Sequence, residues 1–282
     1  MVDSSMRVAS VPLFNLRQVD ESCAYIVEKI GVAARAGADV VVFPETATNA
    51  YQHGEPEADR AGIERWMPEI LQAVREAAGP WMVLGSYTFG EGVCNSALVV
   101  DPAGEVRANY HKIAEGGRRW LMLEINGVYC TVVICSDFWV PGILLVPKML
   151  GAQVCFYPHA SGGVQQERDD WSALYYVRAW ESRMFLVMAD CSWEEGGTFA
   201  RPDQVPYPYD FDHHLHNQSC IIDPQPRYLA RHPRDAQDGL LIADIDPARV
   251  REPMDPKRYT IGQGWEEMLD CFRREGSVEW MK

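Results

Sequence analysis

Cysteine is scarce in this sequence and shows no spacing typical of a disulfide scaffold or a zinc ribbon. The 282 residues include 8 cysteines and no CxxC pair. Several of them lie in apolar, strand-like runs, where a reduced thiol behaves as a small hydrophobic side chain: Cys94, Cys130 and Cys155. We therefore expect free thiols and a cytoplasmic protein.

Long apolar runs and positive charge are also lacking. No apolar stretch approaches the roughly 20 residues that cross a bilayer, and Met1 to Leu16 lacks the basic start and apolar core of a signal peptide. The sequence has 26 Lys and Arg residues against 40 Asp and Glu, a net charge of −14. This balance disfavours nucleic acid and membrane surfaces as partners.

No Gly/Ser linker, low-complexity tract or repeat divides the chain. We therefore expect a single domain over residues 1–282. Along it, strand-like runs alternate with helical ones, which is typical of an α/β fold. The predicted elements of the first part are strands at 7–14, 40–43 and 81–87 and helices at 20–36 and 66–78.

The middle of the chain has strands that follow one another with only short turns. Predicted strands at 95–100, 105–111, 120–125 and 128–135 are separated by segments such as Asp101 to Gly104 and Asn126-Gly127. Successive hairpins indicate antiparallel or mixed strands. Helices at 140–150 and 169–182 and strands at 154–157 and 185–189 then resume the alternation, so a mixed sheet flanked by helices fits both halves.

Three predicted strands are followed by polar residues that burial alone would not select: Glu45, Lys112 and Cys135. Active-site groups commonly gather where strands of an α/β sheet end. A thiol needs a nearby base or cation to become a thiolate at neutral pH. Glu45 could take its proton, while Lys112 and the backbone N–H of Ser136 could stabilise an oxyanion. Taken singly, each residue also has a purely structural interpretation, a buried core thiol or a solvated charge.

The motifs around these residues together resemble those of the nitrilase superfamily, the carbon–nitrogen hydrolases. The Val-Val-Phe-Pro-Glu run ending at Glu45 is similar to the acid motif, Tyr110-His-Lys112 to the lysine motif, and Val133-Ile-Cys135-Ser-Asp137 to the nucleophile motif. Later landmarks follow in the same order, including Val154 to Pro158, Val177 to Ser182 and Leu240 to Asp246. The resemblance covers nearly the whole chain.

The resemblance implies a four-layer αββα sandwich that forms a homodimer or higher homo-oligomer and uses no metal and no organic cofactor. It also implies that Glu45, Lys112 and Cys135 are catalytic. Members commonly carry a second glutamate between the lysine and the cysteine, and the short segment here offers Glu115 and Glu124. We assign the role to Glu115, because Glu124 lies inside an apolar strand.

The resemblance implies hydrolysis of an amide-type small molecule through a thioester. Cys135 is not followed by the Trp-Glu pair of many nitrile-hydrolysing members, which favours the amidase branch. A nitrilase and a catalytically silent or acyl-transferring relative are the alternatives. The candidate substrate-binding residues are Tyr51, Ser136, Phe138, Trp139 and His159.

Three further segments carry weaker predictions. His213, His214 and His216 lack a Cys or carboxylate spaced to complete a metal site. Residues 194–217 form an aperiodic stretch that is typical of a surface loop, and such loops often cover a site or contact a partner. The tail at 255–282 has enough apolar side chains that we expect it to pack at an oligomer interface.

Overall fold

The computed structural model describes residues 5–14, 18–49, 56–160, 170–192, 218–233, 239–250 and 278–281. The helices in these ranges are α1 (Val19–Arg35), α2 (Pro56–Ala77), α3 (Leu145–Met149) and α4 (Asp170–Ser182). The strands are β1 (Met6–Ser10), β2 (Leu13–Phe14), β3 (Val40–Val42), β4 (Trp81–Phe89), β5 (Val93–Val100), β6 (Val106–His111), β7 (Trp120–Ile125), β8 (Val128–Val132), β9 (Val154–Ala160), β10 (Phe185–Ser192), β11 (Cys220–Ile222), β12 (Tyr228–Arg231), β13 (Leu241–Ile245) and β14 (Val278–Met281).

The described strands form two mixed sheets. The six-stranded sheet has the order β13-β1-β3-β4-β5-β6. The eight-stranded sheet has the order β12-β11-β10-β9-β8-β7-β14, with β2 paired beside β10. Parallel neighbours such as β1 and β3 or β8 and β9 occur together with antiparallel hairpins such as β4 and β5.

The two sheets pack face to face over a shared apolar core. Because side chains alternate between the faces of a strand, Val40 and Val42 of β3 point into this core whereas Val41 points outward. On the other sheet, Val154 and Phe156 of β9 point inward in the same way. Both faces of these strands are therefore buried, which explains why their side chains are apolar on both faces.

Helices cover the outer faces of both sheets. In α1, Ile26, Ile30 and Ala33 fall on one buried stripe that packs on the six-stranded sheet, together with the buried face of α2. Acidic residues open α1 and Arg35 closes it, which suits the helix dipole. Helices α3 and α4 cover the outer face of the eight-stranded sheet. The layers are therefore helix, sheet, sheet, helix, as the predicted αββα sandwich requires.

The predicted hairpin strands do not share one sheet. β4, β5 and β6 belong to the six-stranded sheet, whereas β7 and β8 belong to the other. The segment from Lys112 to Arg119 crosses between them, and local sequence patterns do not record such a crossing. Element bounds differ too: α2 begins at Pro56 instead of the predicted Trp66, and β8 ends at Val132, three residues before Cys135.

Only the end of the predicted interface tail falls within the described residues. Val278 to Met281 pair in parallel with β7 and so extend the eight-stranded sheet of the same chain. The rest of residues 255–282 and all of residues 194–217, with His213, His214 and His216, lie outside the described ranges. Within those ranges, no helix has the length and apolar character that a membrane span requires.

Candidate active site

The three predicted catalytic residues follow β3, β6 and β8, and the packing of the two sheets brings the ends of these strands together. The carboxylate of Glu45 meets the ammonium of Lys112 at 2.6 Å. Both are close enough to Cys135 to shift the pKa of its thiol. The structure therefore brings these three residues together beyond the strand ends, and their catalytic roles stay a prediction.

Glu45 is fully buried, and only one of its carboxylate oxygens has a hydrogen-bond partner in the described part of the chain. Oε1 accepts from Nδ2 of Asn95 at 2.7 Å and from Nζ of Lys112 at 2.6 Å. Oε2 is buried without a partner there. A buried carboxylate oxygen without a hydrogen bond is costly in a folded protein. The described residues therefore hold Glu45 in place by one carboxylate oxygen.

A glycine makes room for the Glu45 backbone. Gly85 of β4 lies directly beneath the preceding peptide, and a Cβ there would come within 2.0 Å of the carbonyl oxygen of Pro44. The Gly85 carbonyl accepts from the N–H of Ala47 at 2.9 Å. The N–H of Glu45 itself donates to the carbonyl of His159 at 3.3 Å, which ties the acid-bearing loop to β9 of the other sheet.

Lys112 is buried between two carboxylates. Its Nζ donates to Glu45 and, at 2.7 Å, to Oε1 of Glu115, whose side chain is partly exposed. Burial opposes the charge of Lys112, but Glu45, Cys135 and Glu115 outweigh burial and raise its pKa. The lysine is therefore a fixed ammonium. The structure thus brings Glu115 to the catalytic lysine, whereas Glu124 lies on β7 opposite Tyr129.

Cys135 opens a short 3-10 helix, Cys135–Trp139, with its backbone in the left-handed region at φ +40°. This conformation is strained for a side chain with a Cβ, and such strain is concentrated at functional sites. Its Sγ lies 3.9 Å from the carbonyl oxygen of Ala160, and its own carbonyl accepts from the hydroxyl of Tyr157 at 2.9 Å. Burial and Glu45 raise the pKa of the thiol, while His159 and Lys112 oppose that increase.

Asp137 connects the cysteine turn to the lysine segment. One carboxylate oxygen accepts from the N–H of Ile134 at 2.8 Å and from the hydroxyl of Tyr110 at 2.7 Å. The other accepts from the N–H of Ala114 at 2.7 Å. Since Asp137 is fully buried, these three bonds fix the position of Cys135 relative to Lys112.

The predicted substrate-binding residues have different environments. Ser136 lies within the cysteine turn and is partly buried. Phe138 is fully buried and stacks on Tyr157 at 3.8 Å between ring centroids, so it packs in the core. Trp139 is 58% exposed. Tyr51 lies outside the described residues. Substrate contact by these side chains stays a prediction.

His159, the fifth predicted substrate-binding residue, is buried beside the nucleophile. Its Nδ1 lies 2.8 Å from Oδ1 of Asp190, and its Nε2 lies 3.5 Å from the hydroxyl of Tyr175. The imidazole is close enough to Cys135 for each group to shift the pKa of the other. Its hydrogen-bond partners are a buried carboxylate and a tyrosine hydroxyl, and contact with substrate stays a prediction.

Sequence analysis did not identify four residues that shape the site. Asn95 holds Glu45, Tyr157 holds the Cys135 carbonyl, and Asp190 holds His159. Arg178 of α4 donates from Nε and Nη2 to the carbonyl of Phe138 at 2.9 and 2.7 Å. A charged residue inside an apolar run, as for Asp190 in Phe185 to Cys191, is the signal that could have identified it.

The described residues were also compared with the ligand sets that bind metal ions. Among the described residues, no group of three His, Cys, Asp or Glu side chains is arranged to hold a metal ion. The chemistry available from the described side chains is that of a thiol, a carboxylate with one unpartnered oxygen, an ammonium and an imidazole. This combination suits nucleophilic attack on an electrophilic carbon.

Residues 7–253 match the Carbon-nitrogen hydrolase family. This match covers most of the chain, and the chain therefore belongs to the carbon–nitrogen hydrolase family. The predicted resemblance to the nitrilase superfamily is confirmed. Membership supports hydrolysis of a carbon–nitrogen bond as the general activity.

The chain resembles several known proteins of this kind at low sequence identity. It is 21% identical over 310 residues to Hydrolase C26A3.11 of Schizosaccharomyces pombe, covering 96% of this chain and 87% of that protein. A variant of the amidase from Nesterenkonia sp. AN1 superposes with a TM-score of 0.71 at 18% identity, covering 92% of this chain and 97% of the amidase chain. A carbon-nitrogen hydrolase from Helicobacter pylori G27 gives a TM-score of 0.76 at 13% identity, covering 95% and 98%. These structures share the fold.

Proposed function

We propose that this protein is an amidase-like hydrolase that cleaves a non-peptide carbon–nitrogen bond in an amide-type small molecule. Cys135 is the nucleophile, Glu45 the general base and Lys112 the oxyanion-stabilising cation. The products are a carboxylic acid and ammonia or an amine. Family membership supports the bond that is cleaved, and the contacts of the buried residues support the roles.

The first step is attack of the Cys135 sulfur on the amide carbonyl carbon. The thiol proton passes to Oε2 of Glu45, the carboxylate oxygen that has no partner among the described residues. The sulfur electron pair forms the new bond to carbon, and the carbonyl electron pair moves onto oxygen. The result is a tetrahedral oxyanion.

Lys112 and the N–H of Ser136 stabilise this oxyanion. The ammonium has three N–H donors, and Glu45 and Glu115 take two of them. The third can donate to the oxyanion in a site from which water is largely excluded, where such a bond is strongest. Glu115 holds the lysine from the partly exposed side and thereby keeps ammonium and base aligned.

Glu45 then returns the proton to the leaving nitrogen. The carbon–nitrogen bond breaks, ammonia or an amine leaves, and a thioester remains on Cys135. Water activated by the same carboxylate attacks the thioester and releases the acid and the thiol. No electrons are gained or lost overall, and water is the only co-reactant.

One observation carries the proposal. Glu45 is a buried carboxylate fixed through Oε1 by Asn95 and Lys112, with Oε2 unpartnered in the described part of the chain. Most buried polar side-chain atoms have a hydrogen-bond partner, so the unpartnered Oε2 supports a chemical role for Glu45. In a variant of the Nesterenkonia amidase, the acetamide moiety of fluoroacetamide is added covalently at the active site cysteine. This adduct is an alkylated sulfur and not the proposed thioester, and it supports a nucleophilic role for Cys135.

The test is the intact mass of the protein after brief mixing with a panel of amides, carbamoyl compounds, hydrazides and nitriles, followed by acid quenching. We expect an acyl-sized increment with an amide in the wild type and none in Cys135→Ala, which should keep its fold by circular dichroism. If the thioester is hydrolysed too fast to accumulate, the released carboxylic acid in the same samples still reveals turnover.

The outcomes separate the alternatives. If acid and ammonia form only from nitriles, the protein is a nitrilase and the assignment as an amidase is wrong. A lack of both adduct and product across the panel would indicate a silent relative. Turnover retained by Cys135→Ala would overturn the assignment of the nucleophile.

A further inference from the structure

Asn95 of β5 contacts both the proposed base and the proposed oxyanion-stabilising lysine. Glu45 follows β3 and Lys112 follows β6, and in the sheet order β4 and β5 lie between those two strands. The carbonyl of Asn95 accepts from the N–H of Lys112 at 2.9 Å, and its Nδ2 donates to Oε1 of Glu45 at 2.7 Å. One buried residue therefore joins the lysine through its main chain and the acid through its side chain.

The chemistry of the two side chains fixes the orientation of the Asn95 amide. A carboxylate only accepts hydrogen bonds, so the amide must turn Nδ2 toward Glu45. Oδ1 of Asn95 is then buried and has no partner among the described residues. A buried carbonyl oxygen without a hydrogen bond costs free energy. Stability alone therefore explains an asparagine here poorly, whereas the need for a donor to the Glu45 carboxylate explains it directly.

The Glu45 carboxylate needs a second donor to keep its orientation. The last torsion of a glutamate side chain is broad, so the side chain alone sets little preference. The Lys112 ammonium has three N–H donors, and it contacts Oε1 of Glu45 and Oε1 of Glu115. A rotated Glu45 carboxylate would place both of its oxygens against this ammonium. Nδ2 of Asn95, the second donor to Oε1, opposes that rotation.

We propose that Asn95 is a positioning residue for the reaction: together with Lys112 it holds Glu45 through Oε1 alone and thereby presents Oε2 to the thiol proton. This proposal deepens the proposed function and rests on it, because it assumes that Glu45 is the base. Asn95 neither gains nor loses a proton and acts only through its hydrogen bond to the carboxylate.

The first test removes the donor. The side chain in Asn95→Leu has a similar size but cannot donate, so the carboxylate is held by Lys112 alone. We expect kcat for the amide identified by the mass panel to fall by about 10- to 100-fold, as for other misplaced catalytic groups. KM should stay within about threefold of the wild type, because the lost contact is not made to substrate. A folded Asn95→Leu with the kcat of the wild type would overturn the proposal.

Asn109 of β6 provides the matched control. Its Oδ1 is also buried without a partner in the described part of the chain, but its Nδ2 donates to the hydroxyl of Thr88 at 3.4 Å. Asn109→Leu should therefore keep the kcat of the wild type. A similar loss of kcat in Asn95→Leu and Asn109→Leu would show a general effect of removing a buried amide and would contradict a specific role for Asn95.

Asn95→Asp gives a readout that a purely structural role would not change. The introduced carboxyl has nearly the shape of the amide, but it donates a hydrogen bond to Glu45 only while it is protonated. A neighbouring carboxylate raises the pKa of such a group above the usual value of about 3.9. The kcat of this variant relative to the wild type should therefore be highest near about pH 5 and should fall as the pH rises to about 8. In Asn95→Leu the ratio should stay low throughout.

The pH profile also decides the matter if Asn95→Leu does not fold, which circular dichroism would reveal. A ratio of kcat between Asn95→Asp and the wild type that does not change with pH would refute the positioning role.

Crystal structures of the wild type and Asn95→Leu test the positioning without a substrate. We expect Nζ of Lys112 to contact only Oε1 of Glu45 in the wild type and both carboxylate oxygens in the variant. An unrotated carboxylate in the variant would overturn the proposal whether or not an amide is hydrolysed. If the wild type hydrolyses no amide but the carboxylate rotates in Asn95→Leu, the positioning is retained and the proposed function is wrong.

Discussion

At the residue scale, the site is a set of charges packed around one sulfur. The ion pair between Glu45 and Lys112 is buried, and each partner has a second contact that fixes it. Asn95 contacts Glu45, and Glu115 contacts Lys112. Such a pair is expensive to bury unless its geometry is good and its hydrogen bonds are made. We place the proton transfer at Oε2 of Glu45, which has no hydrogen-bond partner among the described residues.

Replacing Glu45 with Gln should separate the reactivity of the thiol from turnover. The variant keeps a side chain of the same shape but cannot take a proton, so kcat for the amide identified by the mass panel should fall by about 10²- to 10⁴-fold. Because the negative charge of Glu45 raises the pKa of Cys135, alkylation of the thiol at neutral pH should become faster in this variant. If alkylation slows together with turnover, the negative charge of Glu45 does not raise the pKa of Cys135.

At the element scale, strand ends and turns set the distances in the site. β3 and β4 approach closely enough that only glycine fits at position 85, under the Pro44 to Glu45 peptide. The turn after β8 holds Cys135 in a strained conformation, and Asp137 ties this turn to the segment that follows β6. Catalytic geometry therefore depends on contacts between elements from both sheets.

Gly85→Ala should displace Glu45. The added Cβ would lie 2.0 Å from the Pro44 carbonyl oxygen and 2.7 Å from the Cα of Glu45, both backbone atoms. We expect a loss of about 1–3 kcal/mol in the free energy of unfolding, as for other overpacked sites, together with a loss of amide turnover. Urea unfolding and the amide assay measure the two effects.

The matched control for this substitution is Gly92→Ala in the turn between β4 and β5, where an added Cβ meets nothing within 4 Å. That variant should behave as the wild type in both assays. Equal behaviour of the two variants would show that close approach at Gly85 does not set the position of Glu45.

At the scale of the whole molecule, stability should depend on pH through His159. Its pKa is raised from 6.5 to about 10 in the folded protein. A raised folded-state pKa means that the protonated imidazole stabilises the fold fully below pH 6.5 and that this contribution is lost as the pH rises through about 10. The free energy of unfolding of the wild type should therefore fall across this interval.

The difference between the wild type and His159→Gln reports the titration of His159 together with that of the coupled Cys135, whose pKa His159 lowers. Urea unfolding at a series of pH values should show two curves that converge toward alkaline pH. Curves that remain parallel would show that His159 does not carry the raised pKa.

We propose that the protein associates with a second copy of itself through an apolar patch formed by Trp139, Val140, Val177 and Trp180. These side chains are 58%, 39%, 49% and 59% exposed. Arg178 joins the two segments, since its Nη2 donates to the carbonyls of Phe138 and Val140. Exposed apolar side chains on two adjoining segments are typical of a subunit interface.

Light scattering tests this association. The wild type should have a mass that is a multiple of 31.8 kDa, and Trp180→Glu should shift it toward the monomer. Val106→Glu, at an exposed apolar position on β6 outside the patch, should leave the mass unchanged. A monomeric wild type would rule out the interface.

Much of the fold and part of the site could be predicted from local patterns. Trp120 to Ile125 is a strand with the predicted bounds, and α1 is displaced by only one residue at each end. Glu45, Lys112 and Cys135 could be named because each follows a strand within a short motif. The pairing of Asn95 with Glu45 and of Asp190 with His159 could not be predicted, because the partners lie 50 and 31 residues apart in sequence.

The sequence alone predicts the alternation of strands and helices, the apolar stripes of the helices and the residue types available for chemistry, because side-chain periodicity and motif spacing are local properties of the chain. Folding of the whole chain sets three further features: the successive hairpins divide between two sheets, Oε2 of Glu45 has no partner among the described residues, and His159 pairs with Asp190. The physical reason is that strand pairing and sheet packing join residues far apart in the chain, and the free energy of burying both sheet faces selects one such arrangement.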